Sequence, residues 1–259
     1  MTYCVGMLVE TGLVMIADTR TNAGVDNIST YRKLHVLADS DESIVVAMTA
    51  GNLSVTQTAL ALLREGLPPD NEGSVPRTVD KMTSLFRVAQ LVGEAVHRAR
   101  NDLESALQGS TINTGVSILL GGRVGNEPLR LYMVYSQGNF IECQPEAPFL
   151  QIGETKYGKP ILDRALNYTT PLGEAVKVGL ISFDSTIRSN IAVGPPFDMV
   201  VIKRDSVHGD QRRIEADDPY FRDLGRRWSE SLANAHRAMP APPWLEPPAS
   251  GRPPISVVS

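Results

Sequence analysis

Two short runs of this chain, Cys4-Val5-Gly6-Met7-Leu8 and Ile44-Val45-Val46-Ala47-Met48, contain no polar side chain. In a strand, successive side chains point to opposite faces, so runs of this length and composition read as strands that are apolar on both faces. Such strands are covered on both sides. The fold must therefore place these strands inside, with further layers over them.

Each run has a partner nearby. Leu13 to Ala17 follows Tyr3 to Val9 across Glu10-Thr11-Gly12, whose glycine suits a hairpin turn. Thr30 to Leu37 and Ser43 to Thr49 form a second pair across the polar 38–42 loop. A helical pair follows. Ser54 to Arg64 is rich in Ala and Leu and is stopped by Gly66-Leu67-Pro68-Pro69. Met82, Leu85, Phe86, Ala89, Val92, Val96, Ala99 and Leu103 then mark one face of a long helix.

Strand character returns over Thr114 to Leu120, Leu129 to Tyr135 and a short piece near Phe140. A second helical pair spans Lys156 to Leu166 and Leu172 to Asn190, and Phe197 to Ile202 closes the core. Strands, two helices, strands, two helices and a strand make segregated runs, which predict an α+β fold rather than an alternating parallel sheet.

The remaining chain differs. Asp218-Pro219 predicts an N-cap with proline at the first helical position, opening a helix through Arg237. Seven prolines between Pro240 and Pro254 exclude a regular element there. The expected division is a main domain over 1–205, a helical extension over 206–239 packed on it, and a disordered tail over 240–259.

A net charge of −4 argues against a nucleic-acid surface, which needs a concentrated basic face. No apolar stretch is long enough to span a membrane, and the start lacks the basic and apolar regions of a signal peptide. Cys4 and Cys143 are too few for a disulfide framework and do not have zinc spacing, so a reducing cytoplasm is expected. No phosphate-binding, dinucleotide-binding, serine-elbow or H-E-x-x-H motif occurs, and the four histidines are scattered. Neither a metal nor a cofactor is expected.

What remains is Thr2. With Met1 removed, as is usual before a small second residue in the cytosol, Thr2 carries a free α-amine. That amine can take the proton of its own hydroxyl and make it a nucleophile. Its unperturbed pKa of about 7.7–8 needs only a modest reduction, which a nearby lysine supplies and a carboxylate beside the lysine steadies.

Thr2, Asp18-Thr19-Arg20, Arg32-Lys33-Leu34 and Met48-Thr49-Ala50-Gly51 occur in an order that resembles the proteasome β-subunit family of N-terminal nucleophile hydrolases. The Met-Thr start and the segment from Asp18 to Lys33 are most similar to its bacterial branch, Anbu, the ancestral β-subunit. So are the stretches Ile152 to Arg164 and Asp217 to Phe221. The resemblance covers about residues 2–237.

It implies a four-layer αββα sandwich, two sheets packed face to face between helical pairs. It also implies Thr2 as nucleophile, Lys33 as the group lowering the amine's pKa, Asp18 as the carboxylate orienting Lys33, and the Gly51 N–H as oxyanion donor. Arg20 belongs to the same signature, and Thr49 falls at the floor of the family's specificity pocket.

Glu154 and Asn190 depart from the family pattern, standing where it has Ser and Asp. The function implied is threonine-type hydrolysis of peptides or other amides in a self-compartmentalising homo-oligomer, with an ATP-driven unfoldase as a possible partner. A weakly active scaffold and a small-molecule amidase are the alternatives.

Overall fold

A computed structural model describes residues 1–22, 28–69, 75–107 and 112–244. The first hairpin is β1 (Tyr3–Val9) and β2 (Gly12–Asp18), in register from Cys4↔Ala17 to Val9↔Gly12. Short β3 (Arg20–Asn22) and β4 (Ile28–Thr30) pair with each other, and β5 (Leu34–Asp39) pairs with β6 (Ser43–Gly51). Helices α1 (Leu53–Glu65) and α2 (Leu85–Ala106) precede β7 (Val116–Val124), β8 (Arg130–Tyr135), β9 (Phe140–Glu142) and β10 (Phe149–Gly153). Then come α3 (Lys159–Ala165), α4 (Leu172–Ser189), β11 (Phe197–Lys203), β12 (Gly209–Ile214) and α5 (Pro219–Ala238).

The result is a mixed α/β protein with antiparallel sheets. One five-stranded sheet runs β10-β1-β2-β11-β12 and the other β5-β6-β7-β8-β9. The doubly apolar runs explain their packing. Cys4, Leu13, Met15 and Ala17 of the first sheet cluster with Ile44, Val46, Met48 and Leu119 of the second. The alternate residues of the second sheet, Val45, Ala47, Ile118 and Leu120, instead meet α1 and α2 through Val55, Ala59, Val88 and Val92. On the first sheet, Tyr3 turns to α4, its hydroxyl 3.0 Å from Ser182 Oγ and its ring centroid 4.5 Å from that of Phe183. Each fully buried Leu or Ile contributes about 1.5–3 kcal/mol relative to exposure.

Side-chain caps set the helix starts. Asn52 Oδ1 accepts the Val55 N–H at 3.1 Å and Ser84 Oγ accepts the Arg87 N–H at 3.2 Å. The second cap starts α2 at Leu85 rather than at Met82, the first residue of the apolar stripe.

Two expectations need correction. The strand expected over Thr30 to Leu37 is broken, because Tyr31–Lys33 leave the ladder while Tyr31 N–H bonds Thr19 O at 2.8 Å. The segment expected to open a helical extension at 206 first forms β12, which pairs with β11 from Phe197↔Ile214 to Ile202↔Gly209. The chain forms two compact units, Met1–Asp218 and Pro219–Ser259. In the second unit, α5 carries ion pairs along its surface, Arg226–Glu230 at 2.7 Å and Arg227–Asp223 at 2.6 Å. Residues 240–244 of the expected tail form neither helix nor strand, and 245–259 lie outside the described residues.

Candidate active site

Thr2 stands just before β1, and the peptide joining it to Tyr3 is tied down through both its N–H and its carbonyl. The Tyr3 N–H donates to Asp18 Oδ1 at 2.9 Å, and the Glu154 N–H donates to the Thr2 carbonyl oxygen at 2.6 Å. The second contact needs Gly153. Its φ of +84° suits glycine, and a Cβ there would overlap the Thr2 carbonyl.

Asp18 ends β2 with no exposed surface. Lys33 Nζ donates to its Oδ1 at 2.6 Å and to the Arg20 carbonyl at 2.6 Å. The ammonium also stands 3.5 Å from the Met1 carbonyl oxygen. Burial pushes the Asp18 carboxyl above its ordinary value, while Lys33 and the backbone amides of Tyr3 and Gly194 pull the other way. A buried charge is tolerated here because its partner is adjacent and hydrogen-bonded.

The opposite wall comes from β6. The Thr49 N–H donates to the Lys33 carbonyl at 2.9 Å, which joins β6 to the lysine's own backbone. Gly51 ends the strand at φ +109°, with a Cβ excluded by Gly115. Thr2, Thr21, Lys33, Thr49 and Gly51 line one cleft of about 270 Å³. Its position follows from the two sheets packing face to face, which brings the start of β1 against the end of β6.

Glu154 and Asn190 also meet. Asn190 Nδ2 donates to Glu154 Oε2 at 3.0 Å, and the carboxylate is buried. Arg20 is placed differently from the rest. Its Nη1 donates to the Ile191 carbonyl at 2.9 Å, and its guanidinium packs on Gly194, so it clips the α4–β11 connection to β3. Thr19 Oγ1 adds a bond to the Pro196 carbonyl at 2.7 Å in the same connection.

Thr21, Gly153 and Gly194 were not among the site residues read from the sequence. The two glycines act through close backbone approach, and only their position beside Glu154 and after Asn190 hinted at it. Among the described residues, no group of three His, Cys, Asp or Glu side chains is arranged to hold a metal ion. No described helix is long and apolar enough to cross a membrane.

No protein-family model and no curated protein matches this chain. Solved structures do. Anbu (ancestral beta-subunit) from Yersinia bercovieri is 42% identical, with 92% of this chain and 97% of that one covered and a TM-score of 0.83. Anbu from Hyphomicrobium sp. strain MC1 is 42% identical over 92% of this chain and 98% of its own, with a TM-score of 0.83. The helical assembly of the Anbu complex from Pseudomonas aeruginosa gives 41% identity, 93% and 98% coverage and a TM-score of 0.85.

Proposed function

The chain belongs to the Anbu family of ancestral, proteasome-like β-subunits, and we propose that it is a threonine-type amide hydrolase, a peptidase working in a homo-oligomer. One observation carries the reading: Thr2, Lys33 and Gly51 line a single cleft, with Asp18 buried 2.6 Å from the lysine ammonium. The helices on the outer face of each sheet and the apolar cluster between the sheets support the four-layer αββα arrangement of N-terminal nucleophile hydrolases.

The chemistry begins when Met1 is removed and the Thr2 nitrogen becomes an amine. Lys33, already 3.5 Å from the Met1 carbonyl, stands beside it and disfavours its protonation. The amine takes the Oγ proton as Oγ attacks the substrate carbonyl carbon. Gly51 N–H receives the developing oxyanion. Collapse breaks the C–N bond, and the α-ammonium returns its proton to the departing amine, which leaves an ester on Oγ. Water, deprotonated by the same α-amine, then hydrolyses the ester. Thr49 forms part of the specificity pocket, and Asp18 orients Lys33 throughout.

Intact mass is expected to show loss of Met1, and a peptide epoxyketone is expected to bond both the hydroxyl and the amine of Thr2. Retained Met1, or hydrolysis unchanged in Thr2→Ala, sinks the mechanism. The helical assembly of the Pseudomonas relative supports self-association here, and light scattering of a micromolar solution tests it, a monomer being the adverse result. A second reading, a scaffold with little hydrolysis, is favoured by the buried Glu154 carboxylate beside Thr2. Normal assembly with no epoxyketone adduct would select it.

A further inference from the structure

Glu154 is the buried charge near Thr2 that the mechanism leaves without a role. The β1–β10 ladder ends at Tyr3↔Gly153, and just beyond it the Glu154 N–H donates to the Thr2 carbonyl at 2.6 Å. That bond sets the Glu154 backbone against Thr2, whose nitrogen is three covalent bonds from the accepting oxygen.

The carboxylate's own contacts are incomplete. Its residue is 4% exposed. Oε2 accepts from Asn190 Nδ2 at 3.0 Å, and Asn190 is itself fixed, its Oδ1 accepting the Ala192 N–H at 3.0 Å. Oε1 is buried and receives no hydrogen bond among the described residues. Its nearest cation, Lys156 Nζ, lies 3.8 Å away on a side chain that is 75% exposed. A buried carboxylate oxygen without a donor is costly. Loss of Met1 creates a new donor on the residue that Glu154 bonds, because the Thr2 amide with one N–H becomes an ammonium with three.

We propose that Glu154, steadied by Asn190, pairs its free oxygen with the α-ammonium of Thr2 and so sets the pH at which that amine becomes a proton acceptor. The inference rests on the hydrolase reading above. Lys33, paired with Asp18, approaches the amine from the β2 side and disfavours its charge, while Glu154 favours it. Arg32 lines the same cleft, Arg20 is turned to Ile191 and Gly194, Lys156 lies beyond Glu154, and Thr49 and Gly51 of β6 carry no charge. Glu154 is a positioning residue, acting on the substrate only through the amine.

Competitive labelling with acetic anhydride, read at Thr2 by mass spectrometry across pH, measures free amine without requiring hydrolysis. It is run on the full-length assembled protein. Glu154→Gln keeps the side chain's shape and removes its charge. The labelling midpoint is expected to fall by about one pH unit, giving roughly tenfold more free amine below both midpoints. An unmoved midpoint in the folded variant overturns the proposal. Glu154→Asp, with its shorter arm, gives a smaller fall and carries the test if the glutamine variant does not fold; an unmoved midpoint there is equally fatal. Retention of Met1 overturns this pairing and the hydrolase reading together. A shifted midpoint without hydrolysis overturns the hydrolase reading alone, and hydrolysis with an unmoved midpoint overturns only the pairing.

Discussion

Asp18 is buried at a cost to stability. Its carboxyl is raised above its ordinary value, chiefly by burial, so the folded state binds its proton more tightly than the unfolded chain does. The stability it contributes is therefore fully present below the ordinary aspartate value and lost as pH rises through the raised one. Unfolding free energies across pH are expected to show the wild type losing ground to Asp18→Asn over that window, although the same variant is expected to lose the proposed hydrolysis. A wild-type advantage over Asp18→Asn that grows with pH would reverse the assignment. Lys33→Ala is a harsher change, since it leaves Asp18 buried and unpaired; it is expected to cost about 3–5 kcal/mol by denaturant titration. The two cysteines make a contrast. Burial pushes the Cys143 thiol up to about 12 and Cys4 higher, so a thiol reagent at pH 8 is expected to modify neither until the protein is unfolded. That Thr2, Lys33 and Gly51 share a cleft, with Asp18 bonded to Lys33, was legible because their side chains or their order in the chain carry the signal. The bond from Glu154 to Thr2 was not, because a backbone N–H leaves no mark on residue type.

At the level of elements, the apolar runs located both sheets' central strands, an apolar stripe located α2, and the Asp218-Pro219 cap located α5. Boundaries followed caps such as Ser84, and β12 was missed because Gly-Asp-Gln-Arg-Arg-Ile is mostly polar. It forms because β11 offers it a ladder, a tertiary reason that local propensity does not contain. The end of β10 gives a sharper test. Gly153 and Gly125 both have positive φ, +84° and +61°, but an added Cβ meets the Thr2 carbonyl at Gly153 and nothing within 4 Å at Gly125. Gly125→Ala is expected to cost about 1 kcal/mol of backbone strain and leave epoxyketone labelling of Thr2 unchanged. Gly153→Ala is expected to cost more, about 1–3 kcal/mol, and to slow labelling at least tenfold because Thr2 must move. Equal labelling in the two variants would mean that the β10 terminus does not hold Thr2.

For the whole molecule, the question is how much chain the site requires. Both apolar clusters, between the sheets and against α1 and α2, are built from residues before Asp218. So are Asp18, Lys33, Gly51, Glu154 and the α4–β11 connection clipped by Arg20. A chain ending after Asp218 therefore keeps every contact described around Thr2. One ending after Asp205 loses β12 and leaves β11 as a bare sheet edge, an unpaired row of backbone donors and acceptors prone to association. Because Phe197 of β11 pairs directly with Asp18, that loss reaches the site. The longer truncation is expected to unfold cooperatively and still bond the epoxyketone at Thr2. The shorter one is expected to lose several kcal/mol, aggregate on concentration and label poorly. Were the two truncations to melt and label alike, β12 would be dispensable, and the main folding unit would end where residue pattern alone placed it, at 205 rather than at 218.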